Sequence, residues 1–364
     1  MEESKASNEL VILETLRRIE PIDSRLLEQA AERQRHLTKP EGSLGRLEEV
    51  ANRCFAIFGG QMPSVPKARI VVFAGDHGVC AEGVNPYPQA VTTQMVLNCL
   101  QGGAAINCLA RVGNIGLRIV DVGVIGPLPD HPELARRNVA RGTANFCTGP
   151  AMTSQELYAA LRVGIEMAND AVNDGCELLG FGEFGIGNTT SASAVTAALT
   201  GLPAKEVVGR GTGADDDCLR RKISAVERGL ALHAEHAGDP LEVLRRLGGF
   251  EIAAMCGFCL GAAANHRPVL TDGLIATSAA ALAVRMRPEA KDYLFAAHAS
   301  TEPGHRALLQ QIGQKPLLQL DLRLGEGTGV ALAMKLVEGA VAAFNGMATF
   351  ESAAVSDKET ESTK

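Results

Sequence analysis

Apolar runs of strand length alternate along this chain with segments of helix length. Two of these runs, Arg69–Gly75 and Leu117–Gly123, are typical of strands that are buried on both faces. Four more strands are predicted at the start of Leu178–Ala194 and within Val269–Thr277, Tyr293–Ala299 and Pro316–Leu322. Buried strands that are joined by helices form parallel sheets with helices on both faces. The pattern therefore predicts an α/β fold with a doubly wound, mainly parallel six-stranded sheet.

The segments around these strands are also informative. Residues Asn8–Arg35 carry leucine and isoleucine at helical spacing, and Pro21 divides them into two helices. The segment Gly126–Gly149 has no clear period, so we predict an irregular excursion over the surface. Residues 351–364 are polar, which predicts a disordered tail.

Composition and charge argue against two classes of partner. The formal net charge is −7, with no Trp and three Tyr, whereas nucleic-acid-binding proteins usually present a basic face or stacking aromatic residues. The longest apolar runs, around Ile252–Ala264 and Leu274–Val284, are too short or too interrupted to span a bilayer. The polar N-terminus lacks a signal-peptide pattern. We therefore expect no nucleic-acid partner and no membrane partner.

The nine cysteines are scattered along the chain, which favours reduced thiols in a cytoplasmic protein. Cys256 and Cys259 have the C-x-x-C spacing of some zinc and redox sites. Their neighbours are apolar and helix-forming, and no second pair would complete a tetrahedral set. We therefore interpret both as small buried side chains.

The stretch Leu178–Ala194, LLGFGEFGIGNTTSASA, predicts a strand, a glycine-rich loop and the start of a helix. A helix N-terminus offers unpaired N–H groups to a phosphate, and glycines let the backbone approach it closely. The same pattern also fits a plain strand-to-helix connection with a capping Thr. Glu183 lies inside the loop, and because a phosphate would repel its carboxylate, we expect it to face another part of a ligand.

Glu326 lies between two glycines in the sequence LGEGTG and precedes an alanine-rich helix. A partly desolvated carboxylate there could accept a proton from a ligand, because burial raises its pKa toward a useful range. The alternative is an acidic helix N-cap with glycines for the turn. Lys222 and Arg210 flank a second glycine-rich loop, Gly209–Gly213, and would serve either a phosphate or the solvated surface.

Two histidine-containing segments suggest other chemistry. The sequence around His77, AGDHG, is typical of parts of metal phosphoesterases, but the further ligand motifs of that class are missing. A hydrogen-bonded loop histidine is therefore the better interpretation. The segment AHASTEPGH contains Ser300 and Glu302, without a His–acid pair that would make the serine a nucleophile.

Seven motifs occur together in an order that resembles one family. They are TKPEGSLGRLE at Thr38–Glu48, FAGDHGV at Phe73–Val79, GEFGIGNTTSASA at Gly182–Ala194, GRGTGADDD from Gly209, GGFEIAAMCG from Gly248, HASTEPGH from His298 and LRLGEGTGVALA from Leu322. Over residues 8–345 the chain resembles the nicotinate-nucleotide–dimethylbenzimidazole phosphoribosyltransferases of cobalamin lower-ligand synthesis. The resemblance implies transfer of a phosphoribosyl group from nicotinate mononucleotide to 5,6-dimethylbenzimidazole or a related base. The products would be nicotinate and α-ribazole 5′-phosphate, with inversion at C1′.

The resemblance also implies roles for individual residues. Glu326 would be the general base, and Glu183 would line the same site. Phe184 and Leu324 would flank the flat base, and Ser300 would lie near the ribose. The 5′-phosphate would be held with the help of Lys222 by Gly185, Ile186, Gly187, Asn188, Thr189 and Thr190. Gln94 falls in the region that lines the base pocket. No metal and no cofactor is implied.

The strands and the resemblance together imply a domain organisation. A large Rossmann-like catalytic domain would cover residues 48–326, and residues 1–47 and 327–350 would form a small helical domain. The family implies a homodimer.

Two alternatives stay open at this point. A metal phosphoesterase built on Asp76 and His77 would lose its activity to chelators. A non-catalytic nucleotide-binding paralogue would bind the nucleotide or base without turnover, although the presence of both Glu183 and Glu326 argues against it.

Overall fold

A computed structural model describes residues 2–211 and 213–356 of the chain. The strands are β1 (Ala68–Gly75), β2 (Gly116–Gly123), β3 (Leu134–Arg136), β4 (Leu178–Phe184), β5 (Val269–Thr271) and β6 (Leu294–Ala296). They form one sheet in the order β3-β2-β1-β4-β5-β6, and every neighbouring pair is parallel. This order confirms the predicted doubly wound α/β fold, since it places a topological switch point between β1 and β4.

Helices connect the strands and surround the sheet. They are α1 (Glu2–Arg18), α2 (Ser24–His36), α3 (Arg46–Ile57), α4 (Ala90–Leu100), α5 (Ala105–Gly113), α6 (Ser154–Asn173), α7 (Asn188–Thr200), α8 (Ala204–Val207), α9 (Asp216–Leu232), α10 (Pro240–Leu247), α11 (Phe250–Ala264), α12 (Leu274–Met286), α13 (Pro303–Gln311) and α14 (Thr328–Gly346). Short 3₁₀ helices cover Gly78–Glu82, Ala234–His236 and Pro288–Asp292.

Strand β4 separates two helical layers. The ring of Phe181 packs edge-on against Phe258 of α11, with the ring centroids 5.9 Å apart. The adjacent Gly180 faces α14, where an added Cβ would lie 2.3 Å from Val330. Because successive strand residues point to opposite faces, α11 and α14 cover opposite faces of the sheet.

One predicted strand is wrong, and another was missed. Pro316–Leu322 is not a strand, because only Leu318 forms an isolated parallel bridge, with His298. The extended run ends where Asp321 takes φ 55°, in the left-handed region. The strand that the sequence missed is β3, which lies inside Gly126–Gly149, the segment predicted to be irregular. With three residues it is too short to show a period of two.

Close contact between α6 and α11 depends on glycine. An added Cβ on Gly164 would lie 1.8 Å from the carbonyl oxygen of Ala254, and one on Gly257 would lie 2.0 Å from that of Leu161. Every residue of α11 is buried, including both cysteines of the C-x-x-C pair. Burial raises the pKa of the Cys259 thiol to about 12. Both cysteines are therefore protonated core side chains, as the sequence indicated.

The terminal helices pack in different places. Helix α1 packs on α6 and α11, whereas α2 packs on α3, and α3 packs on α14. Helix α14 also packs on α5, β4 and β5. The division into domains of 48–326 and of 1–47 with 327–350 stays a prediction. In the predicted tail, Glu351–Ala354 forms a turn, and residues 357–364 lie outside the described residues.

Helix α14 is the one described helix that is long and apolar enough to cross a membrane by length and composition alone. Half of that segment is buried inside the protein, against α3, α5 and the sheet. Its packing in the fold accounts for its apolar character.

Candidate active site

A cavity of about 640 Å³ opens at the carboxyl ends of the parallel strands. Parallel α/β sheets bind ligands at this edge, beside a topological switch point. The residues that line the cavity are Tyr87, Val91, Thr92, Met95, Glu183, Phe184, Gly185, Ile186, Asn188, Thr189, Gly211, Gly273, Leu274, Ile275, Ala276, His298, Ser300, Glu302, Arg323, Leu324, Gly325 and Glu326. The lining brings together most of the residues that the sequence predicted.

The glycine-rich loop ends at the N-terminus of α7, which opens at the cavity wall. Gly187 is the N-cap with φ 97°, and no side chain caps this helix end. A Cβ on Gly187 would also lie 2.7 Å from Cys80 Sγ. The N–H of Ile186 donates to Thr92 Oγ1 at 3.0 Å, which fixes the loop to α4. An uncapped helix N-terminus with glycine at the turn suits an anion.

Two cations lie beside this helix end. Lys222 is buried, and its Nζ donates to Thr189 Oγ1 at 3.0 Å and to the carbonyl of Gly209 at 3.1 Å. Burial lowers the pKa of Lys222. Arg323 lines the cavity directly and donates to the carbonyl of Gly211 at 3.0 Å. Both can therefore contribute positive charge to an anion at α7.

Glu326 lies in a stretch of left-handed backbone. Gly325, Glu326 and Gly327 have φ values of 88°, 64° and 85°. Glycine adopts this region readily, but a non-glycine residue there is strained, and such strain is often found at functional sites. The two flanking glycines therefore allow the left-handed backbone conformation in which the Glu326 carboxylate is held.

The Glu326 carboxylate is oriented by the start of α5. Its Oε2 accepts a hydrogen bond from the N–H of Ile106 at 3.2 Å. Burial raises the pKa of Glu326, and the charge of Asp272 adds to the increase, while the N–H groups of α5 oppose it. The carboxylate is 6% exposed and lines the cavity. The carboxylate is thus held in place at the cavity wall, and its pKa is raised above that of an ordinary Glu, as suits a group that can accept a proton from a ligand.

Glu183 at the end of β4 is the second carboxylate of the cavity. Its Oε2 accepts a short hydrogen bond from Asn188 Nδ2. Burial raises its pKa well above the ordinary value, and the charges of Glu251, Asp272 and Glu326 raise it further. Burial thus favours the protonated form of Glu183, in which the carboxyl group can donate a hydrogen bond to a ligand.

Glycines bring the two carboxylates to the same wall. A Cβ on Gly182 would lie 2.3 Å from the carbonyl carbon of Glu326. A Cβ on Gly325 would lie 2.3 Å from Glu183 Oε1. Only residues without side chains allow this approach, so the GEFG and GEGTG sequences are complementary parts of one site.

An apolar region completes the cavity. Tyr87 and Met95 face it from the α4 side, and Phe184, Leu274 and Leu324 line it elsewhere. Leu324 is 52% exposed and Tyr87 is 49% exposed, so both lie at the opening. The region suits a flat aromatic ring.

Some predicted residues lie away from the cavity wall. Gln94 lines a separate cavity of about 350 Å³, and Met95 takes the place that was expected for it. Consecutive helical residues point about 100° apart, so the sequence could not decide between them. Gly187, Thr190 and Lys222 lie behind the lining rather than in it. Ser300 lines the cavity, as expected.

His77 is engaged in the core. Its Nε2 lies 2.6 Å from Glu251 Oε1, and its Nδ1 lies 3.1 Å from Ser191 Oγ. All three side chains are buried, and none lines the cavity. They connect the end of β1 to α7 and α11, which agrees with the interpretation of His77 as a hydrogen-bonded loop histidine. Among residues 2–211 and 213–356, no group of three or more His, Cys, Asp or Glu is placed to hold a metal ion.

Sequence reasoning missed several residues of the site. Arg323, Thr92 and Leu274 line the cavity. Glu302, which the sequence analysis noted beside Ser300, also lines the cavity and accepts a hydrogen bond from the N–H of Gly211 at 3.1 Å. Arg323 immediately precedes Leu324 in a motif that was already recognised, so its charge was an available signal. No sequence signal separated Thr92 or Leu274 from ordinary core residues.

Comparison with known proteins shows which family this chain resembles over nearly its whole length. The phosphoribosyltransferase family model matches residues 19–355. The nicotinate-nucleotide–dimethylbenzimidazole phosphoribosyltransferase of Geobacter sulfurreducens is 51% identical over 347 residues, covering 95% of this chain and 99% of its own. That of Chloroflexus aggregans is 49% identical, covering 96% and 99%. The crystal structure of CobT from Thermus thermophilus has 50% identity and a TM-score of 0.88, covering 91% and 99%. The chain therefore belongs to the nicotinate-nucleotide–dimethylbenzimidazole phosphoribosyltransferase family.

Proposed function

We propose that this protein transfers the phosphoribosyl group of nicotinate mononucleotide to 5,6-dimethylbenzimidazole or a related base. The products are nicotinate and α-ribazole 5′-phosphate, with inversion at C1′. The observation that carries the proposal is the placement of the Glu326 carboxylate, which lines a single cavity with the uncapped end of α7 and an apolar region.

The chemistry needs a base and no general acid. Nicotinate on C1′ is a pyridinium, which is already a good leaving group. The transition state resembles an oxocarbenium ion, as in other glycosyl transfers. One imidazole nitrogen of the incoming base attacks C1′ while the opposite ring N–H loses its proton. Glu326 accepts that proton, and its raised pKa brings the carboxylate closer to the operating pH.

The phosphate end of the cavity positions the substrate. The N-terminus of α7 binds the 5′-phosphate, with Arg323 beside it and Lys222 behind Thr189. Ser300 lies near the ribose. Holding the phosphate fixes C1′ relative to the attacking nitrogen, and such positioning can account for several kcal/mol of a barrier, about 7–11 kcal/mol in the best cases.

The apolar region binds the base. Phe184 and Leu324 contact its faces, and Met95 lines the cavity from the α4 side. Glu183, whose protonated form is favoured by burial, donates a hydrogen bond to a substrate. Related benzimidazoles can be accepted because the region is shaped by apolar contacts rather than by several polar ones.

A cytoplasmic location and a homodimeric state are part of the same proposal. Nine free cysteines support the first, and the resemblance to the family supports the second. Cell fractionation and sedimentation of the purified protein test them.

The decisive assay mixes the protein with nicotinate mononucleotide and dimethylbenzimidazole and follows both products by mass spectrometry. Glu326→Gln should lower kcat by about 10²–10⁴-fold, since a general base contributes that much. Glu338→Gln is the matched control, because Glu338 lies on the exposed side of α14, paired with Lys335. Near-wild-type turnover by Glu326→Gln would remove Glu326 as the base.

The same assay separates the two alternatives. A metal phosphoesterase would release inorganic phosphate and would stop in EDTA, whereas the transferase should be indifferent to EDTA. A non-catalytic paralogue would bind nicotinate mononucleotide without releasing nicotinate. Either result would replace the proposed activity.

A further inference from the structure

Asp272 follows β5 at the cavity edge of the sheet, and its contacts point toward Glu326. Its Oδ2 accepts a hydrogen bond from the N–H of Gly327 at 3.0 Å, and its Oδ1 accepts one from the N–H of Gly329 at 2.9 Å. The side chain is 2% exposed. One buried carboxylate thus binds the backbone immediately after Glu326 with both of its oxygens.

These bonds hold a segment that would not keep its conformation unaided. Glu326 lies between two glycines with φ of 88° and 85° and is itself in the left-handed region. Such a conformation is strained for a non-glycine residue and persists only where its surroundings impose it. Asp272 supplies this restraint at the start of α14, where a negative charge also interacts favourably with the helix dipole.

The contact is also sterically specific. A Cβ on Gly329 would lie 2.7 Å from Asp272 Oδ1 and 2.1 Å from His298 Cδ2. His298 Nε2 lies 3.3 Å from Asp272 Oδ1, and His298 lines the cavity. Asp272 is therefore enclosed between α14 and the loop that follows β6, with no space for a longer side chain.

We propose that Asp272 is a positioning residue for the reaction: it fixes the strained backbone that carries Glu326 and thereby sets where the base meets its proton. The inference rests on the proposed role of Glu326 and extends it to a side chain that does not line the cavity. Asp272 touches no reacting atom, so its effect on the reaction passes through Glu326.

The charge of Asp272 gives the proposal a measurable signature. The groups that face Glu326 are Glu183 from β4, Cys99 from α4, Asp272 after β5 and the N–H groups of α5. The titratable groups that interact with Asp272 are His298, Glu183 and Glu326. Because a neighbouring negative charge favours the protonated form of a carboxyl, loss of the Asp272 charge should lower the pKa of Glu326. The pH below which activity falls should then decrease.

The test compares Asp272→Asn with Asp121→Asn. Asp121 is a buried carboxylate at the glycine-containing end of β2 that also accepts two backbone N–H bonds, from Gly123 at 3.1 Å and Val124 at 2.9 Å, away from the cavity. Asp272→Asn should lower kcat by about 10–100-fold, as expected for a base displaced by about 1 Å. The acid limb of its pH–rate profile, which is the range over which activity falls as the pH decreases, should shift to lower pH. Its affinity for nicotinate mononucleotide should be retained.

A second variant separates position from charge. Gly329→Ala pushes α14 away from Asp272 without removing the charge, so kcat should fall without the same shift of the acid limb. Gly339→Ala, on the same helix with no neighbour within 4 Å, should behave as wild type.

Several results would overturn the inference. Asp272→Asn could match Asp121→Asn in kcat and acid limb, or it could lose nucleotide binding in parallel with kcat. It could also fail to fold while Asp121→Asn folds. Each outcome assigns Asp272 to the fold alone. If Glu326→Gln keeps near-wild-type turnover, the proposed function of Glu326 fails. If Glu326→Gln is inactive and Asp272→Asn is normal, only the present inference fails.

Discussion

Replacing Gly182 with Ala tests how closely the position of Glu326 controls catalysis. The new Cβ would lie 2.3 Å from both the carbonyl carbon of Glu326 and the nitrogen of Gly327, where ordinary contact begins at 3.4 Å. The loop must therefore move by about 1 Å, and a displacement of that size can reduce a rate by about 100-fold. Overpacking of this kind also lowers the free energy of unfolding by about 1–3 kcal/mol.

The assay measures kcat from nicotinate release at saturating substrates, together with the melting temperature. We expect kcat to fall by about 100-fold, equivalent to about 2.7 kcal/mol of transition-state stabilisation, and nucleotide affinity to change little. Gly339→Ala in α14 meets no neighbour within 4 Å and is the control. Its melting temperature should rise slightly, since Ala is favoured over Gly in a helix by about 0.5–1 kcal/mol. A Gly182→Ala enzyme with lowered stability and wild-type kcat would refute the reasoning.

Two further predictions concern the pH profile and the phosphate end of the site. Burial raises the pKa of Glu326, and the proposed base acts only when it is ionised. We therefore expect kcat/KM to reach its plateau above that pKa and to fall as the pH decreases through it, at a higher pH than an ordinary Glu would give. A plateau that extends below pH 4.5 would contradict this prediction. Gly187→Ala should weaken nicotinate mononucleotide binding by about tenfold, because a left-handed non-glycine residue is disfavoured by about 1–2 kcal/mol. Gly201→Ala imposes the same strain at the other end of α7 with no neighbour within 4 Å, so calorimetry should show unchanged affinity there.

The sequence predicted the parts of the fold that depend on local pattern. The long buried strands β1, β2 and β4 were found because runs of seven or eight mainly apolar residues give a clear signal. Strand β3 was missed because three residues cannot establish a period. Pro316–Leu322 was wrongly predicted to be a strand because its leucines resemble a strand pattern, although the segment forms only one bridge.

The candidate site divides in the same way. Glu326 and Glu183 were recognisable because glycines surround them in sequence. Asp272 was not recognisable, because its hydrogen-bond partners Gly327 and Gly329 are 55 and 57 residues away in the sequence. No motif near Asp272 indicates these partners. The choice between Gln94 and Met95 likewise required the rotation of α4 about its axis, which a sequence does not fix.

The order of the site along the chain has a consequence for synthesis. All six described strands and the glycine-rich loop before α7 lie before residue 297, whereas Ser300, Arg323 and Glu326 of the cavity follow them. A chain emerging from the ribosome can thus contain its whole sheet before it contains these three residues. The cavity is complete only when α14 has packed on β4 and β5, so we expect a chain that ends before residue 300 to have no transferase activity.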